Sequence, residues 1–306
     1  MASPQRPISG QVVLVTGAAR GIGAGAARAL AARGAKVALV GLEPAELEQV
    51  AAQCGPDAAW FEADVTDPEA IAAAVEGAVA RFGGIDVVIA NAGIATGGTV
   101  AAIDPAAWER VVEVNLFGSW RTVRAALPHV IARHGYVLQI ASFAAVAHAP
   151  FMSAYSASKA GVEAFANSLR TEVAHHGVDV GVAYFSWIDT DMVRGADART
   201  EFGGMRKKIA GPFGKTSTLE QCVDGVVDGI EKRRRWITVP AWVRAMILIR
   251  GPLAVAVDRL GRGEVPEVEE RMDAAIAREG AAAVTAPVGA GGAADNAARS
   301  GRTAAP

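Results

Sequence analysis

From residue 11 onward, short runs rich in β-branched residues alternate with longer alanine-rich stretches of helical period, and few folds accept that alternation. Runs at Val12–Thr16, Lys36–Val40, Ala59–Glu62, Val87–Ala90, Tyr136–Ala141, Val180–Phe185 and Ile237–Val239 read as strands. The early ones lack polar alternation, so they are expected to be covered on both faces by helices. The pattern predicts an α/β fold: one doubly wound, mainly parallel seven-stranded sheet with helices on both faces. Gly34 closes the first intervening helix, and Asp67 followed by Pro68 opens the third as N-cap and first helical residue.

Residues 1–10 form an N-terminal arm and residues 11–240 the sheet domain. Between Asp189 and Phe213 the pattern fails, with Gly195, Gly203, Gly204, Gly211 and Pro212 set among charged residues, so 189–215 is expected to be a substrate lid. An apolar and basic extension follows over 241–279. Residues 280–306 are mostly Ala, Gly, Thr and Pro with few large apolar side chains, and are expected to be a disordered tail.

Thirty Lys and Arg against 32 Asp and Glu leave a net charge of −2, which argues against a nucleic-acid partner. Cys54 and Cys222 have no ligand-like spacing, so neither a metal site nor a disulfide framework is expected, which fits a reducing compartment. Met1–Gly10 carries no apolar leader, and a cytoplasmic protein is expected. The apolar stretch Trp236–Val257 is interrupted by Pro240, Arg244, Arg250 and Pro252, unlike a spanning helix. With Arg233-Arg234-Arg235 beside Trp236 and Trp242, it suits an oligomer or lid contact, or peripheral attachment to an anionic membrane.

The first strand runs into Thr16-Gly17-Ala18-Ala19-Arg20-Gly21-Ile22-Gly23, and a helical stretch follows at once. Glycines there allow a tight turn and close backbone approach, while the helix start offers unpaired N–H groups to a pyrophosphate. Downstream, Tyr155-Ser156-Ala157-Ser158-Lys159 opens a helix running to about His176. Residues four apart share a helix face with Cβ atoms about 6 Å apart, so Tyr155 and Lys159 can serve one site. An ammonium near a phenol favours the phenolate, and the spacing predicts a lowered Tyr155 pKa and proton transfer through its oxygen. Ser142, at the end of the fifth strand, lacks the GxSxG surroundings of a hydrolase nucleophile and suits a hydrogen-bond donor to a substrate oxygen.

The GxxxGxG spacing, taken with these separated motifs, resembles the short-chain dehydrogenase/reductase family over about residues 8 to 240. The resemblance implies a Rossmann-like fold and a pyrophosphate held by Gly17, Gly21, Ile22 and Gly23. It assigns Asp64-Val65 to the adenine and Asn91-Ala92-Gly93 to the cofactor site and the central sheet. It further implies a tetrad of Asn115, Ser142, Tyr155 and Lys159. Tyr155 is then the general acid/base, Lys159 also holds the nicotinamide ribose, and Asn115 holds a water that links Lys159 to solvent. Ile188 and Thr190 match residues that contact the nicotinamide carboxamide.

A carboxylate at the end of the second strand selects NAD, and the family's Asp position falls at Gly41 here, followed by Leu42 and Glu43. With Arg20 in the glycine loop, where a basic residue pairs with a 2′-phosphate in similar enzymes, NADP is favoured over NAD, although Glu43 can itself reach the ribose. The family's Pro-Gly after the sixth strand is replaced here by Phe185-Ser186, with Trp187 next, which adds bulk beside the nicotinamide. The expected function is hydride transfer between NADP or NAD and an alcohol or carbonyl, a lipophilic one given Phe143, Met152 and Trp187 near the site. His148 is read as a pocket-rim residue. The competing reading is a nucleotide-sensing protein without turnover. A homo-oligomer, dimer or tetramer, is the expected assembly.

Overall fold

A computed structural model describes residues 7–199 and 211–303 of the chain. Seven parallel strands form one sheet: β1 (Val12–Thr16), β2 (Lys36–Gly41), β3 (Ala58–Glu62), β4 (Val87–Ala90), β5 (Tyr136–Ile140), β6 (Asp179–Phe185) and β7 (Trp236–Val239). Their spatial order is β3-β2-β1-β4-β5-β6-β7, so the winding reverses between β1 and β4. In open sheets of this kind ligands bind beyond the carboxyl ends of the strands at that reversal. β1 pairs with β2 in register Val13↔Val37 and with β4 in register Val13↔Val87.

The strands are apolar on both faces because both faces are covered. Leu14, Val88 and Val137 point into one buried cluster, and Val13, Val37 and Leu138 into the other. The edge strand β3 is the exception, with Trp60 37% exposed. Asp67 caps the helix Pro68–Phe82 by accepting from the N–H groups of Glu69 and Ala70, both at 3.0 Å, as its position before Pro68 predicts.

The span 241–279 folds as helices Val243–Leu248, Arg250–Gly261 and Val265–Glu279. Val243 and Ile247 join the main core, and Val268 and Met272 pack on Phe151. Within 189–215, residues 191–198 form a helix and 211–214 a single tight turn, while 200–210 lie outside the described residues.

The expectation of a disordered tail is overturned. Ala281–Val284 and Gly289–Thr303 are helical, and Val284, Thr285, Val288 and Asp295 are buried. Composition missed this because the segment docks by backbone and polar bonds rather than by large apolar side chains. Val288 N–H donates to the Ala95 carbonyl at 2.9 Å, and Asp104 N–H donates to the Thr285 hydroxyl at 3.1 Å. Arg199 donates to the carbonyls of Ala283, Val284 and Ala286.

Candidate active site

A single cleft at the carboxyl ends of β1, β4 and β5 is lined by the expected residues except Gly23 and Asn115. At its floor, Gly17 adopts φ +63°, and a Cβ there would lie 2.8 Å from Ala92 Cα. A Cβ on Gly23 would lie 2.3 Å from the Gly17 carbonyl oxygen, so both positions require glycine. The Asn91 amide donates to the Thr16 carbonyl at 2.9 Å and to that of Gly17 at 3.2 Å. The N–H groups of Asn91 and Ala92 donate to the Thr16 hydroxyl. Asn91 is therefore the stitch that ties β4 to the loop after β1. Gly21 and Ile22 line the cleft where the helix Gly21–Ala31 begins, and no side chain caps that helix. Uncapped first-turn N–H groups above a loop with no room for a Cβ fit a pyrophosphate.

Asp64 and Val65 follow β3 and are buried. Asp64 accepts from the Thr66 N–H at 2.9 Å and hydroxyl at 2.8 Å, and from Arg110 at 3.1 Å. Burial pushes the Asp64 carboxyl up, but the Thr66 bonds and the Arg110 guanidinium outweigh it and hold the pKa below its ordinary value. Arg20 does not stand free for a phosphate. Its Nε donates to Glu43 at 2.8 Å, and Glu46 and Asp191 lie 3.7 and 3.8 Å from its guanidinium.

At the other end, the helix Ser153–Val173 carries Tyr155 and Lys159 on one face. The Lys159 Nζ lies 5.7 Å from the Tyr155 ring centroid and donates to the Ile140 carbonyl at 2.8 Å. Ser142 follows β5, where its oxygen accepts from Ala144 N–H at 3.1 Å and its hydroxyl donates to the Phe185 carbonyl at 3.4 Å, and it lines the cleft together with Tyr155. Asn115 sits in a π-helical turn, Glu113–Phe117, which locally breaks the α-helical bonding and turns its side chain inward. Its Oδ1 accepts from Ile94 N–H at 2.8 Å and its Nδ2 donates to the Ile94 carbonyl and to Ser158 Oγ, each at 3.0 Å. Gly93 lies where Asn115 and Lys159 converge: a Cβ there would be 3.1 Å from Asn115 Oδ1 and 3.4 Å from Lys159 Nζ.

The ionisation differs from the expectation. Burial raises the Tyr155 pKa, and the Ser142 hydrogen bond offsets this only in part. Burial also lowers Lys159 to about 8. Desolvation thus dominates at both groups, which are buried beside one another. At pH 7 Tyr155 is a neutral phenol that can give up a proton.

Ile188 is buried and pairs with Ser217 in a short parallel bridge, while Thr190 caps the helix Asp191–Ala198 through Val193 N–H. Phe185 and Ser186 line the cleft at the position of the missing Pro-Gly. Trp242, from the C-terminal extension, meets Phe143 edge-on at 5.1 Å and Phe213 at 4.8 Å. His148 bonds the nearby Ala145 carbonyl at 3.3 Å. Sequence reasoning did not find Arg110, Asp191 or the tail residues Val288, Gly291, Gly292 and Asp295, all of which bear on the cleft or its rim. The one signal for the tail was Asp295, its single acidic residue.

A cleft built this way at the reversal of a doubly wound sheet defines a nicotinamide-dinucleotide oxidoreductase. The family model for short chain dehydrogenases matches residues 11–201, and the chain belongs to that family. It is 35% identical over 222 residues to the cis-4-hydroxycyclohexanecarboxylate dehydrogenase of Sinomonas cyclohexanicum, covering 71% of this chain and 87% of that protein. It is 32% identical over 215 residues to the 3-oxoacyl-(acyl-carrier-protein) reductase of Escherichia coli, covering 70% and 88%. The 3-ketoacyl-(acyl-carrier-protein) reductase from Brucella melitensis, solved with NADH, superposes with a TM-score of 0.69 at 27% identity, covering 76% of this chain and 97% of that one. The chain is an NAD(P)-dependent oxidoreductase acting on CH–OH or C=O groups.

Proposed function

We propose that Tyr155 is the proton donor and acceptor of this enzyme, with Ser142 positioning the substrate oxygen, and that the substrate is a lipophilic alcohol or ketone. The observation that carries the reading is that Ser142, Tyr155 and Lys159 line the same cleft as the glycine loop. The nicotinamide supplies or accepts the hydride. In reduction, the Tyr155 hydroxyl proton passes to the substrate oxygen as the carbonyl carbon receives hydride; oxidation reverses both transfers. Ser142 donates to the oxygen on which charge develops, where a preorganised donor acts most strongly. Lys159 supplies positive charge beneath Tyr155 and hydroxyl-binding capacity for the nicotinamide ribose. Asn115, fixed by Ile94 and Ser158, shapes the route from Lys159 toward solvent.

The adenosine end favours NAD over the NADP suggested by Gly41 and Arg20 alone. A 2′-phosphate there would have to displace Glu43 from Arg20 and face Glu46 and Asp191. The apolar side chains that line the cleft, Ile94, Phe185, Ile188 and Met192, support a lipophilic substrate. The exposed Phe117 and Trp120 suit a homo-oligomeric contact. The exposed Leu248, Ile249, Val255 and Leu260, close in sequence to Arg244, suit peripheral contact with anionic lipid. Light scattering and vesicle co-sedimentation test these two contacts.

The central test is Tyr155→Phe. Turnover across a panel of alcohols and ketones should fall by about two to four orders of magnitude while NADH binding, followed by fluorescence, is retained. Near-normal kcat in that variant would overturn the assignment.

A further inference from the structure

The tail Thr285–Thr303 runs back over 180 residues of sequence to the cleft, and its placement there is specific. Thr285 is fully buried; its carbonyl accepts from the Thr96 hydroxyl and its own hydroxyl accepts from Asp104 N–H. Val288 N–H bonds the Ala95 carbonyl, two residues beyond Asn91-Ala92-Gly93. Gly289, at φ +76°, presses on the helix Asp191–Ala198 so closely that a Cβ would lie 2.6 Å from the Asp191 carbonyl oxygen. On that helix, a Cβ on Gly195 would lie 2.5 Å from Gly289 N. Beyond this contact, Gly291, Gly292, Ala294 and Asp295 line the same cleft as Gly17, Arg20 and Asp64.

Asp295, 2% exposed, accepts from Arg110 at 2.6 Å, and Arg110 also donates to Asp64 and to the Thr66 hydroxyl. A carboxylate–guanidinium–carboxylate chain thus fastens the tail to the loop after β3. Breaking one member of such a buried chain is strongly unfavourable, so the fastening is firm. The groups facing the cleft are nearly bare of side chain at Gly291, Gly292 and Ala294. A segment that filled the cleft would bring bulk to it; this one brings a wall and leaves the space.

We propose that the C-terminal strap Thr285–Asp295 is the outer wall of the dinucleotide site and retains the bound nucleotide, with Asp295 acting as a positioning residue through Arg110 and Asp64. This rests on the reading of the cleft as a nicotinamide-dinucleotide site. A closed outer wall has a kinetic consequence. A dinucleotide lying between glycine loop and strap leaves only when the helix Gly289–Thr303 undocks, so the strap slows release. Because the contacts of Thr285 and Val288 are made before that helix begins, a chain ending at Val288 keeps them and loses the helix with its Asp295–Arg110 bond and its Gly289 contact.

Stopped-flow fluorescence of NADH release from the full chain, from a chain truncated after Val288 and from Asp295→Asn tests the proposal, with thermal melts of the apoproteins as fold controls. Truncation should raise the NADH dissociation rate about tenfold or more and weaken Kd, and Asp295→Asn should do the same to a smaller degree. Nicotinamide mononucleotide, which lacks the adenosine half, should bind the full chain and Asp295→Asn equally. A truncated chain that melts normally and releases NADH at the full-chain rate overturns the proposal. Tighter NADH binding after truncation also overturns it, since the strap would then be a plug. Failure of the full chain to bind NADH or NADPH would instead overturn the underlying reading of the cleft, and the wall with it.

Discussion

Replacing Glu43 by Gln should turn the coenzyme preference toward NADP. Gln keeps the length of Glu43 and an oxygen that can accept from Arg20, so the change is chiefly one of charge. In the native chain the Arg20 guanidinium, 29% exposed, is neutralised by a Glu43 carboxylate that is 16% exposed. Freed of that partner, Arg20 can give a charge-assisted hydrogen bond to a 2′-phosphate, worth about 1.5–3 kcal/mol. At about 1.4 kcal/mol per decade, the ratio of kcat/KM for NADPH over NADH should rise roughly 10- to 100-fold. Glu46 and Asp191, more distant from Arg20, remain and hold the gain toward the lower end. Initial-rate kinetics with one ketone and both coenzymes give the ratio directly. Adding Arg20→Ala to the variant should erase most of the gain, since the two residues act as a coupled pair. An unchanged ratio in Glu43→Gln, or a gain that survives loss of Arg20, would refute the account of this pair.

Gly41→Asp should move preference further toward NAD: its Cβ would meet Leu47 at 3.4 Å, an ordinary contact, so a fall in the NADPH:NADH ratio is expected without a large loss in melting temperature. Lys159, lowered by burial from 10.5 to about 8, holds fewer protons in the folded than in the unfolded chain between those pH values. Its contribution to stability should therefore rise with pH across that window, so urea unfolding at pH 7.5 and 10 should show the native chain gaining stability relative to Lys159→Met. Trp242→Ala removes the edge-on ring contacts with Phe143 and Phe213, so KM for bulky apolar substrates should rise about three- to tenfold while small alcohols are little affected. Equal KM changes for both classes would show that Trp242 acts on the fold and not on the substrate.

The strands, their mainly parallel sheet and the motif residues that line the cleft were legible because each has a local signature: β-branched runs, glycines at a strand-to-helix turn, Tyr and Lys one helical turn apart. Asn91 was legible by position, although its bonds to Thr16 and Gly17 make it a structural stitch as much as a lining residue. The ionisation of Tyr155 was not legible, because spacing shows a neighbouring charge but not the depth of burial that outweighs it. Nor was the tail. Its order comes from partners far away in sequence, such as Thr96, Arg110 and Arg199, and its own residues carry no periodic apolar face. Arg20 was visible as a base in the loop, but the carboxylates around it come from the end of β2, the helix after it and the helix after β6.

The two ends of the cleft operate under opposite electrostatic conditions. At the nicotinamide end, Tyr155 and Lys159 are buried with no carboxylate among the described residues to compensate them, so desolvation dominates and the Lys159 pKa is lowered to about 8. At the adenosine end, each charge is met by an opposite one: Asp64 and Asp295 by Arg110, and Glu43 by Arg20. The first arrangement leaves protons free to move; the second fixes groups in place and discriminates among nucleotides by charge. Substitutions at the two ends therefore belong in different kinetic constants. Changes at Tyr155 or Ser142 should fall on kcat, whereas changes at Glu43, Gly41 or Asp295 should fall on coenzyme KM and release. Because Ser142 and Tyr155 are proposed to act on one substrate oxygen while Glu43 bonds Arg20 at the other end of the cleft, a Tyr155→Phe, Ser142→Ala pair should be non-additive, and a Tyr155→Phe, Glu43→Gln pair should add.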